Sequence, residues 1–178
     1  MISEPLLHRM KILVIDDDRM TVTLLEQLLQ RNGYTCVMGI TDSRNAFDTC
    51  NNFSPDLILL DLNMPEMDGF AVLEALRADA PETFLPIVVL TADVTEDAKA
   101  RALEAGATDF LVKPVSQTEA LLRIRNLLEV RRLHVVLENQ RSALEEAVRE
   151  RTTELRATIA ELQAVTPSMP TSSALSNA

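Results

Sequence analysis

The stretch Lys11-Ile12-Leu13-Val14-Ile15-Asp16-Asp17-Asp18 runs an aliphatic strand into three consecutive carboxylates. Three later stretches have the same form. Leu57-Ile58-Leu59-Leu60 ends in Asp61, Ile87-Val88-Val89-Leu90 ends in Thr91, and Phe110-Leu111-Val112 ends in Lys113-Pro114. A short run that is apolar throughout, rather than alternating, is what a strand covered on both faces looks like. In an open parallel α/β sheet the carboxyl ends of the strands gather along one edge, where ligands bind. Carboxylates, a hydroxyl and an ammonium meeting on that edge suit a divalent cation and a phosphoryl group.

Strands are expected at 11–16, 34–39, 56–61, 86–91 and 109–113. Residues 34–39 are more mixed, as an edge strand is. Helical patterns lie near 19–32, 42–52, 69–79 and 95–105, and another begins near 117. Gly33 and Gly106 stand where helix C-caps are expected. Five strands alternating with five helices imply right-handed crossovers and a doubly wound, three-layer α/β sandwich around a five-stranded parallel sheet. A closed barrel of such units needs about eight of them, so the open sheet is preferred.

The chain has 178 residues, room for one domain and an extension. Its hydrophobic fraction of 47% supports a real core, and an aromatic fraction of 3% makes that core aliphatic. The net charge of −10 and pI near 4.7 argue against a broad nucleic-acid footprint. Residues 131–165 balance six Arg with six Glu, so the charge deficit lies before them, where the carboxylates of the proposed edge are. Cys36 and Cys50 are too few and too far apart for a CxxC-type metal site and read as free, buried thiols. No signal-peptide core and no run of about 18 apolar residues is present, so a soluble, cytoplasmic protein without a membrane partner is expected.

The helical pattern that begins near 117 does not stop. No Gly or Pro occurs between Val115 and Thr166. With Leu127 at heptad position a, the a positions are Leu127, His134, Arg141, Val148, Leu155 and Leu162. The d positions are then Val130, Leu137, Leu144, Arg151, Thr158 and Val165. Eight of the twelve are apolar, which predicts a two-stranded coiled coil, interrupted at His134, Arg141, Arg151 and Thr158. The alternative is a solitary charged helix held by pairs such as Arg141–Glu145 and Glu145–Arg149. Against it, Glu146–Glu150 and Glu150–Glu154 repel at the same spacing. Residues 166–178 have no core-forming pattern and are expected to be disordered. The expected organisation is a globular domain over 10–130, a coiled-coil extension over 131–165 and the tail 166–178, with a homodimer formed through 117–165.

Asp61 is the central candidate for chemistry. A carboxylate attacks phosphorus to give an acyl phosphate, and it needs positive charge nearby because an anion approaches an anion. Asp16, Asp17 and Asp61 offer hard oxygen ligands without a full protein cage, which is how Mg2+ prefers to bind. Asp18 is expected to be the N-cap of the first long helix. Pro114 forces a turn, with a cis bond as one option, that aims the Lys113 ammonium at a phosphate. Thr91 is a hydroxyl donor to a phosphoryl oxygen or a cap of the following helix. Phe110 is a core aromatic or a mobile element. The turn-rich loop Asn63-Met64-Pro65-Glu66-Met67-Asp68-Gly69 follows Asp61, and its backbone carbonyls are placed to complete a metal shell.

As a set, Ile15-Asp16-Asp17-Asp18, the segment from Leu60-Asp61 through Asp68-Gly69, Leu90-Thr91-Ala92 and Lys113-Pro114 resemble the receiver domain of bacterial two-component response regulators. The resemblance covers roughly 10–130 and implies a flavodoxin-like (βα)5 fold. It implies that Asp61 accepts phosphate from a sensor histidine kinase or phosphotransfer protein, and that Asp16 and Asp17 hold Mg2+ with the Asn63 carbonyl. Lys113 then pairs with the phosphoryl group, Thr91 moves towards it, and Phe110 turns inward. Phe in place of the family's frequent Tyr keeps the rotation and loses the hydroxyl. Asn63 and Asp93 occupy positions that tune loss of the phosphate, which is expected not to be unusually slow. Phosphorylation is then expected to alter the face made by the fourth helix of the βα series, the fifth strand and the fifth helix.

Residues 131–165 resemble the helical linkers that join receivers to cyclic-di-nucleotide enzymes or kinase modules. No GGDEF, EAL or HD-GYP motif is present, so either the coiled coil is the output or an output domain lies outside this chain. No helix-turn-helix signature follows residue 130, so no direct nucleic-acid partner is expected. A dehalogenase-type phosphohydrolase also uses an aspartyl nucleophile but wants a second Asp two residues later. Asn63 stands there and cannot cycle a proton as a carboxyl group does. A phosphoryl acceptor, not a turnover enzyme, is the resulting expectation.

Overall fold

The apolar runs pair with one another in register, and the register is what later builds the site. The computed structural model describes residues 4–65, 68–79, 84–93 and 95–165. The expected disordered tail and Glu66-Met67 of the expected loop lie outside them.

A short helix α1 (Glu4–Leu7) precedes β1 (Lys11–Ile15), α2 (Arg19–Arg31) and β2 (Cys36–Ile40). A 3-10 turn at Ser43–Asn45 leads into α3 (Ala46–Phe53). Then come β3 (Leu57–Asp61), α4 (Gly69–Asp79), β4 (Ile87–Thr91), α5 (Glu96–Glu104), β5 (Asp109–Val112) and α6 (Gln117–Val165). The strands form one parallel sheet in the order β2-β1-β3-β4-β5. The fold class is therefore as expected, and the differences are local. The helix α1 carries no sequence signal of its own. The second strand starts at Cys36, two residues later than expected, because Gly33 ends α2 with φ 92° and Tyr34 turns inward beside His8. The helix expected over 42–52 begins instead as a 3-10 turn, because Asp42 caps Arg44 N and also takes up its guanidinium.

Period-two alternation divides the sheet into two cores. Ile12, Val14, Leu57, Leu59, Val88 and Leu90 face one side with Val22, Leu25 and Leu29 of α2 and Ala120, Ile124 and Leu128 of α6. Leu13, Ile15, Ile58, Leu60, Ile87 and Val89 face the other, with Val72, Leu73 and Leu76 of α4 and Ala102 of α5. The central strands β1, β3 and β4 are buried on both faces, while β2 is half-buried with Met38 exposed, as an edge strand is. Asp18 caps α2, accepting from Met20 N, Thr21 N and Thr21 Oγ1. Such a cap contributes about 1 kcal/mol. Cys36 and Cys50 are free, and burial pushes the Cys50 thiol up to about 11, which leaves it unreactive. Among the described residues no helix is long and apolar enough to cross a membrane.

The described residues up to 135 form one compact unit, and the remaining turns of α6 belong to a second. In the second unit Leu137, Leu144, Val148, Leu155, Leu162 and Val165 are all more than half exposed. They are members of the a and d positions, so the apolar seam lies uncovered along one helix. Arg141–Glu145 and Arg151–Glu154 form ion pairs on its surface.

Gly69 is fixed by close approach. Its N–H donates to Leu62 O, and a Cβ there would overlap the Asp61 carbonyl oxygen and Leu62 Cα. These are backbone atoms of the central strand's end and cannot give way. Gly69→Ala is expected to lower the unfolding free energy by about 1–3 kcal/mol through this overlap. A urea midpoint unchanged from the parent would show that the approach is not tight.

Candidate functional site

The register sets out the site one residue per strand. β1 and β3 are neighbours with Ile15 opposite Leu60, so the next residues, Asp16 and Asp61, stand side by side. Asp61 lies opposite Leu90, which puts Thr91 one step beyond on β4. Thr91 lies opposite Val112, which puts Lys113 one step beyond on the edge strand. The strand order reverses direction at β1, with β2 on one side and β3 on the other. The crevice at that reversal is where open α/β sheets bind ligands.

Lys113 draws the site together. Its ammonium donates to Asp16 Oδ2 at 2.8 Å and lies 3.0 Å from Asp61 Oδ1. The other Asp16 oxygen accepts the Asp18 N–H at 2.9 Å. Asp16 is therefore satisfied on both oxygens although it is completely buried. Asp61 is also buried, and its contact with Lys113 is an ion pair without hydrogen-bond geometry. Its Oδ1 is enclosed and accepts no directed hydrogen bond. Burial pushes the Asp16 carboxyl above its ordinary value, outweighing the hydrogen bonds from Lys113 and the Asp18 N–H. For Lys113 burial acts in the lowering direction, but the contacts with Asp16 and Asp61 outweigh it, and the ammonium is held above its ordinary value.

One carboxylate oxygen from each of Asp16, Asp17 and Asp61 lies within 4.8 Å of the others. Asp17 is the exposed member. Three carboxylates against one ammonium leave an excess of negative charge, and Asp61 Oδ1 has acceptor capacity left over. Hard oxygens, few in number and open on one side, fit a hydrated divalent cation. Asp17 also borders a cleft of about 260 Å3 lined by Thr41, Asp42, Ser43, Arg44, Met64 and Pro65.

The remaining candidates are placed differently. Asn63 is exposed on the loop after β3. Thr91 is buried, and its hydroxyl oxygen accepts the Asp93 N–H at 3.0 Å, so it is committed to the turn after β4. The Asp93 carboxylate accepts the Thr95 N–H at 2.9 Å, a bond that holds it below the ordinary carboxylate range. Phe110 is opposite Val89 and shares a sheet face with Thr91, two positions along. The Lys113–Pro114 bond is cis. Sequence reading missed the surroundings of Phe110: Lys99 and Arg123 both stand over its ring. The only available signal was their charge, and surface charges are too common to single out.

Removing the ammonium leaves two buried carboxylates facing each other. A fully enclosed pair broken this way costs about 3–5 kcal/mol. The Lys113 side chain is 26% exposed, so Lys113→Met is expected to cost about 1–3 kcal/mol at neutral pH without added metal. With its folded value raised, Asp16 stabilises the fold in its protonated form, and that contribution is lost as pH rises through the raised value. The cost of Lys113→Met should therefore shrink as the pH falls through the same window. Urea titrations of parent and variant from pH 7 to pH 4 check this, and a cost independent of pH would contradict it.

The model of the response regulator receiver domain family matches residues 12–125. The chain is 40% identical over 118 residues to the alkaline phosphatase synthesis transcriptional regulatory protein PhoP of Bacillus subtilis, covering 66% of this chain and 48% of that protein. It is 40% identical over 124 residues to the transcriptional regulatory protein PrrA of Mycobacterium leprae, covering 68% and 51%. The chain thus spans about half the length of these curated relatives. Among solved structures, the chemotaxis protein CheY4 of Vibrio cholerae superposes with a TM-score of 0.62 at 31% identity, over 67% of this chain and 98% of that one. The receiver domain of the Francisella response regulator 1452 gives 0.63 at 29%, over 68% and 98%. This chain belongs to the response regulator receiver domain family.

Proposed function

We propose that Asp61 accepts a phosphoryl group from a phosphohistidine on a sensor histidine kinase or phosphotransfer protein. The observation that carries the reading is the buried Asp61 carboxylate, 3.0 Å from the Lys113 ammonium and grouped with Asp16 and Asp17. An Asp61 oxygen attacks phosphorus, the O–P bond forms as the N–P bond breaks, and the imidazole nitrogen leaves with the electron pair. Lys113 pairs with the phosphoryl oxygens. Asp16, Asp17, Asp61 and the Asn63 carbonyl would hold Mg2+, which would supply positive charge to offset the approach of one anion to another. The chain thereby assists its own phosphorylation without turning over a substrate. Asn63 and Asp93, small and polar, tune loss of the phosphate by orienting a water.

The switch elements are Thr91 and Phe110. Thr91 leaves the Asp93 N–H for a phosphoryl oxygen, and Phe110 turns inward on the same face. Such a switch needs different contacts in its two states. The affected face consists of α5, β5 and the first turns of α6. The uncovered seam of α6 supports a homodimer through 117–165 as output. A second arrangement, supported by the linker-like sequence of 131–165, is a receiver of a longer regulator whose cyclic-di-nucleotide enzyme or kinase output domain lies outside this chain. The pI near 4.7 and the balanced charge of 131–165 support protein rather than nucleic-acid partners. A cytoplasmic setting is part of the same reading and rests on membership of the response regulator receiver family.

Asp61→Asn is expected to keep the fold and abolish Mg2+-dependent labelling by a phosphohistidine donor. Labelling equal to the parent would remove Asp61 from the role. Light scattering with Mg2+, before and after beryllofluoride as an acyl-phosphate mimic, is expected to show a shift from monomer to dimer. A monomer under both conditions would reject the seam as an assembly element.

A further inference from the structure

Two cations from different helices lie over the ring of Phe110. Lys99 Nζ of α5 is 5.3 Å from the ring centroid, and the guanidinium carbon of Arg123 of α6 is 5.9 Å from it. Neither cation is placed to follow the ring. Arg123 Nη1 donates to both Asp109 oxygens at 2.7 and 2.6 Å, and Nε and Nη2 donate to Glu119 Oε1. Lys99 Nζ is held by Glu96 Oε1 at 2.9 Å. Asp109 also accepts the Phe110 N–H at 2.8 Å. One carboxylate thus fixes both the backbone beneath the ring and the guanidinium over it.

We propose that Lys99 and Arg123 clamp Phe110 in the partly exposed position it occupies here and so set the resting population of the switch. They are positioning residues, acting through the ring rather than on the phosphoryl group. The inference rests on the reading of Asp61 as phosphoacceptor and of Thr91–Phe110 as the switch. A cation is attracted by the negative face of an aromatic ring, and the attraction is lost when the ring turns into the sheet face. Arg123 is tethered by Asp109 and Glu119, and Lys99 is rooted on α5, so inward rotation gives up both contacts. Because one cation belongs to α5 and the other to α6, ring rotation frees a side chain on each helix at once. The state of Asp61 then reaches the first turns of α6 without any displacement of the sheet.

The test is beryllofluoride titration of the full chain with Mg2+ at physiological salt. The chain carries 4-fluorophenylalanine, and the Phe110 fluorine resonance is assigned by its loss in Phe110→Leu. Lys99→Met and Arg123→Met are each expected to lower the half-saturating concentration about threefold, and together about tenfold. Before any ligand is added, the Phe110 resonance should already be shifted towards its saturated position. Loss of positive charge alone would weaken binding of an anionic complex, so the direction separates the clamp from simple electrostatics. Arg123→Lys, which keeps a cation, should restore most of the parent midpoint. Glu119→Gln, which breaks an ion pair but leaves the guanidinium, should stay near it. Variants that bind no tighter than the parent, with the ring signal unmoved, would overturn the clamp while leaving Asp61 in its role. A parent that does not respond to beryllofluoride would overturn the phosphoacceptor reading itself. The ring signal of the ligand-free variants would then still decide whether the cations hold Phe110.

Discussion

One ammonium holds together carboxylates that would otherwise repel. Lys113 reaches Asp16 across 97 positions of sequence and touches Asp61 in the same step. Without it, the carboxyl ends of β1 and β3 present two buried anions beside each other, with Asp17 close by. The arrangement is costly for a fold, and it leaves Asp61 Oδ1 with acceptor capacity of the kind a hard cation can use. The pKa directions agree with this picture. Asp16 is pushed up by burial, and Lys113 is kept charged against burial by its two partners.

The rest of the molecule supplies the rigidity that such a site needs. β1, β3 and β4 are covered on both faces by aliphatic side chains, so neither a register slip nor a local bend is available to relieve the repulsion. Gly69 adds a second restraint by letting the loop return against the end of β3, directly behind Asp61. α6 is part of this support as well, since Ala120, Ile124 and Leu128 are core residues with no exposure. The same helix belongs to the core at its start and carries exposed apolar residues later. Arg123 of that element also reaches over the Phe110 ring at the edge strand β5.

How far the sequence could be read depended on whether a property was local. Strands buried on both faces announce themselves as unbroken aliphatic runs, and β1, β3 and β4 lie within about a residue of their expected ends, as does the half-buried β5. Gly33 and Gly106 marked helix ends because only the left-handed region, at φ 92° and 102°, closes those helices cheaply. The edge strand β2 was displaced because its mixed pattern gives a weak boundary. The helix α1 and the 3-10 turn were missed because their cause lies in contacts with distant residues and in a local Asp42–Arg44 pairing that competes with the helix.

By itself the sequence determined the alternation of elements, the parallel sheet and the identity of the residues at the strand ends, because periodicity and chain-end chemistry are properties of neighbours. It also placed Asp16, Asp17, Asp61, Thr91 and Lys113 on one edge, since every parallel strand delivers its carboxyl end to the same side. Only the tertiary structure decided which of these touch. Lys113 meets Asp16 and Asp61, while Thr91 turns to the Asp93 N–H. It alone placed Lys99 and Arg123 over Phe110. Those contacts depend on strand register and on side-chain directions across three separate elements, and no spacing along the chain encodes them.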